Sequence, residues 1–264
     1  MLELRAGDAT ATIDPSGGGR VDSLRVGDID LLLTPHDDHE GKGHFGAFVM
    51  APWAGRTRHG IFHFDGVEHH VPVESGAHAI HGTVRNRPWA VESADVRRAK
   101  LSCDLGPHWP FAGWVEHVLT LHDDRFELEL SVHTADASMP AVCGWHPWWR
   151  RSLPDGQDAT LDLHAGAMYR KDSDGIAVPE LLRPPPAGPW DDCFTELASS
   201  PALQWGETVR VVIETDCPAV VVYDQRDDAV CVEPQTAPPD ALNHDPFVVE
   251  RDHPLRAATT WRWR

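Results

Sequence analysis

Apolar and polar residues alternate one for one along most of this chain, and few stretches keep the three-to-four-residue spacing of a helix. Leu2 to Leu4, Ala11 to Ile13, Val21 to Val26 and Ile29 to Leu33 read as short strands, separated by turn residues such as Pro15 and Gly17 to Gly19. Between Gly60 and Val71, Ile61 and two aromatics alternate up to Asp65-Gly66. That dipeptide tolerates positive φ in a tight turn, and Val67 to Val71 returns as the second arm of a hairpin. Trp114 to Leu121 and Phe126 to Val132 flank Asp123-Asp124 as another hairpin, and Val209 to Ile213, Val220 to Tyr223, Val230 to Val232 and Leu255 to Trp263 supply further strands. The 22 prolines and 21 glycines punctuate the sequence throughout, and Pro184, Pro185 and Pro186 exclude a helix where they stand. Many short strands with frequent turns predict an all-β chain: one large antiparallel β-sandwich domain over residues 1–264 with few short helices. A length of 264 residues is ample for such a core.

Charge and cysteine usage narrow the function. Against 23 Lys+Arg stand 41 Asp+Glu, a formal net charge of −18 that argues against a nucleic-acid partner, because phosphate binding needs clustered cations. No apolar run approaches a membrane span, and the first ten residues lack the basic and apolar regions of a signal peptide, so a cytoplasmic protein without a membrane partner is expected. The five cysteines are scattered and contain no CxxC, which argues against both a disulfide framework and a cysteine zinc centre. His36/His39 and His78/His81 have HxxH spacing, but among 17 histidines such pairs arise by chance, and no metal is expected. Gly-rich Ser16–Arg20 lacks the Gly-Lys-Ser/Thr of a phosphate loop and reads as a turn; GxSxG and HExxH are absent.

Three segments gather chemistry. Ala51–Thr57 (APWAGRT) and His78–Trp89 (HAIHGTVRNRPW) bring Arg56, His81, Arg85 and Arg87 close to flexible backbone, an arrangement that a turn carrying surface charges would also give. Cys143–Arg150 (CGWHPWWR) sets His146 among Trp145, Trp148 and Trp149, and a partly buried imidazole in such company stays neutral near pH 7, whether it is catalytic or simply part of the core. Cys231–Asn243 (CVEPQTAPPDALN) ends an apolar strand on Glu233, a carboxylate that is costly there unless it is paired with a neighbour or used in a reaction. The 11 tryptophans are mostly core residues by expectation, with some free to line a pocket, where a flat apolar ring packs on the C–H face of a sugar.

In this order, the Arg of PWAGRT, the His-Gly of HAIHG, the HPWW stretch, WDDCF at Trp190 to Phe194 and VEPQTAPPDALN resemble the aldose 1-epimerase (galactose mutarotase) superfamily. The resemblance spans Phe45 to Asn243 and implies a galactose mutarotase-like β-sandwich that interconverts α and β anomers of a monosaccharide without a cofactor. It implies Glu233 as catalytic base, His146 as general acid, and Arg56, His81 and Asp191 as substrate-binding groups, with Asp192 a competitor for the last role. Trp53 and Trp148 are candidates for stacking on the sugar. Gly55 stands where the family often has Asn, which removes a side-chain contact, and the bulk of Trp145, Trp148 and Trp149 is expected to reshape the pocket. HGTVRNRPW is also similar to the motif of the phosphohexose branch, so a mutarotase for an anionic sugar (a hexose 6-phosphate or sulfonated sugar), with Arg85 or Arg87 forking onto the anion, is an alternative. Others are a non-catalytic sugar-binding domain of the same fold and a structural all-β interaction protein. The chain is expected to be a monomer or homodimer, with Glu233 and His146 on opposite sides of a bound pyranose.

Overall fold

In the strand Gly113–Leu121, the odd positions Val115, His117, Leu119 and Leu121 are buried and the even ones half-buried or exposed, as alternation demands of a sheet with one covered face. This pattern repeats through a computed structural model that describes residues 1–74 and 76–264. Two large antiparallel sheets result. One has eight strands, ordered Ala90–Ala94, Arg98–Asp104, Gly113–Leu121, Arg125–Thr134, Leu255–Trp263, Val209–Thr215, Ala202–Trp205 and Ala159–Asp162. The other has eleven, running from Leu2–Ala6 at one edge to Ala177–Leu182 at the other.

The middle of the larger sheet matters most for function. There, Ala47–Met50, Gly144–Arg150, Ala229–Gln235, Ala219–Tyr223 and Asp191–Leu197 lie side by side in that order. Residues of both sheets form one connected apolar cluster, in which Trp145, Trp149, Trp205 and Trp261 are fully buried. Trp149 of the larger sheet meets Trp261 of the smaller edge-on, with ring centroids 4.8 Å apart. Withdrawing a ring of that size from water contributes about 4–6 kcal/mol as an upper bound.

The all-β expectation holds: the helical segments among the described residues are the 3₁₀ turns Arg58–Gly60 and Ala241–Asn243, and no helix is long and apolar enough to cross a membrane. Both expected hairpins form, Ile61–Phe64 with Val67–His70 across Asp65-Gly66, and Gly113–Leu121 with Arg125–Thr134. The expected strand from Ile29 to Leu33 stops at Asp30. Leu31 and Leu32 continue into the core, with Leu32 making a single bridge to Trp149.

Candidate active site

Strand parity builds the site. Gly144–Arg150 sends Trp145 and Trp149 into the core between the sheets and presents His146 and Trp148 on its other face. Its neighbour Ala229–Gln235 does the same, with Val230 and Val232 inward and Glu233 and Gln235 outward. The register that pairs Gly144 with Gln235 and Trp148 with Cys231 carries His146 and Glu233 past one another between those pairs. Their outward faces floor a cavity of about 820 Å³.

His146 Nε2 lies 3.2 Å from Glu233 Oε1. The imidazole is stacked between Phe48 and Trp148, each centroid 4.7 Å away, which fixes the ring plane and strips it of water. That burial, followed by the charge of Arg20, pushes the His146 pKa down to about 3. Burial, followed by the charge of Asp191, pushes the Glu233 carboxyl well above the usual carboxylate range. Gln235, fully buried, donates from Nε2 to Glu233 Oε2 at 3.3 Å, while its Oε1 has no partner. The two candidate catalytic groups therefore touch. They do not stand on opposite sides of a pyranose, as the sequence suggested, because a register shared by adjacent strands leaves no slot between them.

His81 reaches the cavity from a loop bent by two successive left-handed residues, His81 at φ 62° and Gly82 at φ 75°. A Cβ on Gly82 would sit 2.0 Å from the Ala51 carbonyl oxygen, so only glycine allows this close approach. The bend sets the His81 ring edge-on to His146 at 5.1 Å. Burial, reinforced by the nearby His146 and Arg85, pushes its pKa well below that of an ordinary histidine, and its Nδ1 is buried without a partner. Gly55 has a similar reason. At φ 64° its Cβ would lie 2.7 Å from Cγ of Pro239, so the packing of the Pro238-Pro239 turn excludes the Asn contact at this position.

Arg56, beside Gly55, approaches Asp191 at 3.7 Å, and Lys171 bridges Asp191 and Asp192 at 3.3 and 3.4 Å. Both aspartates line the cavity. Arg85 lines it too and pairs with the exposed Glu74 at 3.1 Å. Arg20, at the end of the Gly-rich turn, also lines the cavity, although the residue is largely buried. It donates to the Gly43 and Phe45 carbonyls, and burial lowers its pKa to about 10.

Of the residues singled out by sequence, Glu233, His146, Arg56, His81, Asp191, Arg85 and Trp148 all border this cavity. Trp53 does not. It packs in the core against Trp109, and its one open side faces a separate, smaller cavity. Trp145 and Trp149 leave the pocket's shape to Trp148, because period two turns them to the opposite face of the strand. Arg87 sits at the smaller cavity and pairs with Asp104. Sequence reasoning missed Arg20, Phe48, Lys171 and Gln235. For Gln235 the signal was present, since it follows Glu233 at the strand spacing of two. His78 packs against His59, the ring centroids 5.0 Å apart and the planes tilted by 41°. Among the described residues, one group has metal-ligand proximity: His146, Cys231 and Glu233, whose ligand atoms all lie within 4.8 Å of one another.

Comparison with known proteins agrees with this architecture. A galactose mutarotase-like protein of Clostridium acetobutylicum superposes with a TM-score of 0.87 at 16% identity, covering 99% of this chain and 94% of that one. The aldose epimerase homologue of C. elegans gives 0.86 at 17%, covering 100% and 98%. The galactose 1-epimerase of Lactobacillus acidophilus NCFM gives 0.82 at 15%, covering 98% and 92%. At such identities these likenesses speak for the fold. A search of curated protein sequences found no significant match. The sequence profile of the aldose 1-epimerases matches residues 1–263, and the chain belongs to that family.

Proposed function

We propose that this protein is a cofactor-independent mutarotase, which opens and recloses the ring of a monosaccharide with Glu233 as base and His146 as acid. The observation that carries the reading is the 3.2 Å contact between a buried carboxyl and a buried imidazole on the floor of a polar cavity. Anomerisation needs one proton removed from O1 and one delivered to O5. Both oxygens are bonded to C1, so two adjacent groups beneath the ring reach both. Glu233 takes the O1 proton while His146 gives one to O5, the aldehyde turns about C1–C2, and the roles reverse on closure. Arg56, His81 and Asp191 hold hydroxyls so that C1 lies over the pair. Trp148, stacked on His146 and 4.7 Å from the His44 ring, lines the cavity beside the pair.

Glu233→Gln tests this reading, because it keeps the shape and removes the base. Mutarotation of fresh α-glucose or another aldose, followed by polarimetry, is expected to fall at least ~100-fold. A variant as fast as wild type removes the base assignment. Wild-type protein that binds sugar but never accelerates mutarotation is a sugar-binding domain instead.

The charge of the cavity favours a second reading, an anionic sugar. Arg20, Lys42, Arg56, Arg85 and Lys171 line it against Asp191, Asp192 and Glu233, an excess of cations in a chain of net charge −18. Arg20 in particular makes no carboxylate ion pair among the described residues. A phosphate or sulfonate held near Arg20 and Arg85 would supply the missing counter-charge.

A further inference from the structure

We infer that His146, Cys231 and Glu233 together form an inhibitory binding site for a thiophilic divalent cation such as zinc. The inhibition, though not the binding, rests on the mutarotase reading of the same pair. Cys231 is the one member of this group that the proton-transfer chemistry does not use. It stands two residues before Glu233 on the same strand and the same face, packed with Trp148 and Leu33.

Three features make this a cation site and not a chance meeting. The first is distance. The imidazole, thiol and carboxyl atoms all lie within 4.8 Å of one another, and His146 Nε2 to Glu233 Oε1 is already 3.2 Å. Two ligands with bonds of about 2.0–2.1 Å to a tetrahedral zinc stand ~3.3 Å apart, so only the sulfur has to close in. The second is orientation. Phe48 and Trp148 hold the imidazole plane, and Gln235 holds Glu233 through Oε2, which leaves Oε1, the oxygen beside His146 Nε2, to meet the ion once the shared proton is lost. The third is charge. A thiolate, a carboxylate and a neutral imidazole around a doubly charged ion sum to zero, so the filled site puts no net charge into a buried place.

On binding, the thiol proton and the proton shared by His146 and Glu233 leave to solvent as the S–metal, N–metal and O–metal bonds form. Of the three ligands His146 and Glu233 line the cavity while Cys231 lies buried behind it, so an ion and any fourth ligand would enter from that side. The ion then occupies the lone pairs of Nε2 and Oε1, the ones that would exchange protons with a sugar. The sulfur and nitrogen ligands select zinc or cadmium over magnesium and calcium, which demand more oxygens than this group has.

The experiment uses the whole chain in two parallel measurements. Cadmium titration reads the cadmium–thiolate charge-transfer band in the ultraviolet, which needs no turnover, and zinc titration reads anomerisation. Wild type is expected to develop the band and to lose activity to zinc in the micromolar range, with recovery on chelation and no response to magnesium or calcium. Cys231→Ala, and Cys231→Ser as the variant that preserves volume, are expected to keep basal anomerisation and lose the band. They should also need at least ~10–100-fold more zinc for the same inhibition, since even an outer partner of a metal ligand accounts for that much affinity. Cys103→Ala, on the other sheet, should behave as wild type. Absence of a thiolate band in wild type, or equal zinc sensitivity in wild type and both Cys231 variants, overturns the inference. A band that depends on Cys231 in a protein that anomerises no sugar leaves the metal site standing and removes the mutarotase reading.

Discussion

His117 sets a limit on the acid stability of this protein, and the size of the effect follows from its surroundings. It points inward from Gly113–Leu121 and is 1% exposed. The Trp145 indole N–H donates to its Nε2 at 3.2 Å, so that nitrogen carries no proton, and Nδ1 is buried without a partner. Desolvation alone pushes its pKa down to about 3. In the unfolded chain the same imidazole titrates near 6.5. Between those two values the unfolded state binds a proton that the folded state refuses, so stability is complete above about pH 6.5 and drains away as the pH falls toward 3. The slope approaches ~1.4 kcal/mol per pH unit, which amounts to about 2 kcal/mol between roughly pH 7.5 and pH 5. His117→Gln keeps an oxygen acceptor for the Trp145 indole and does not titrate. Urea unfolding of both proteins at those two pH values, read by tryptophan fluorescence, is expected to show wild type losing about 2 kcal/mol more than the variant. His146 contributes in the same direction to both and cancels. Equal losses would refute the assignment of His117 as a group buried neutral.

Two further outcomes follow from the site. Gly55→Ala forces a side chain into the left-handed region and against Pro239, and is expected to destabilise by about 1–3 kcal/mol and to raise KM through the displaced Arg56, measured by thermal unfolding and polarimetry. Arg85→Ala is expected to slow anomerisation of glucose 6-phosphate by ~10-fold or more while leaving glucose nearly unchanged, because a charge-assisted contact of about 1.5–3 kcal/mol is lost only with the anion; equal effects on both sugars would remove the anionic reading.

How much of this was legible in the sequence depends on which physics decides each residue. Strand alternation and turn chemistry are local, so the all-β architecture and the Asp65-Gly66 hairpin could be read directly. Alternation also places His146 and Trp148 on one face and Trp145 and Trp149 on the other, a sorting that their shared bulk obscured. Trp53 lies in a segment without a period, and nothing local distinguishes a core indole from a pocket one. Arg20 looks like the polar end of a turn. Its burial is made by carbonyls of Gly43 and Phe45, contributed by a segment more than twenty residues away. The contact of His146 with Glu233 depends on the register between strands far apart in sequence, which no short pattern encodes.

That contact also bears on how the proposed reaction balances. A lone neutral imidazole is a poor acid, since giving up its only N–H proton leaves an anion. Pressed against Glu233 it need not act alone, because the two groups hold one exchangeable proton between them. In the proposed mechanism the reactive form has that proton on His146 and Glu233 ionised. Ring opening sends it to O5 as Glu233 collects the proton of O1, which leaves a neutral imidazole beside a protonated carboxyl. This is the form that burial favours, since it lowers the His146 pKa to about 3 and raises that of Glu233. Opening therefore removes a buried charge pair, and closure on either face restores it at the expense of the reactive aldehyde. In this proposal the pair ends each cycle with the proton count it began with, so the proposed reaction requires no proton from bulk water, and adjacency on one sheet floor serves it better than a separation across the ring.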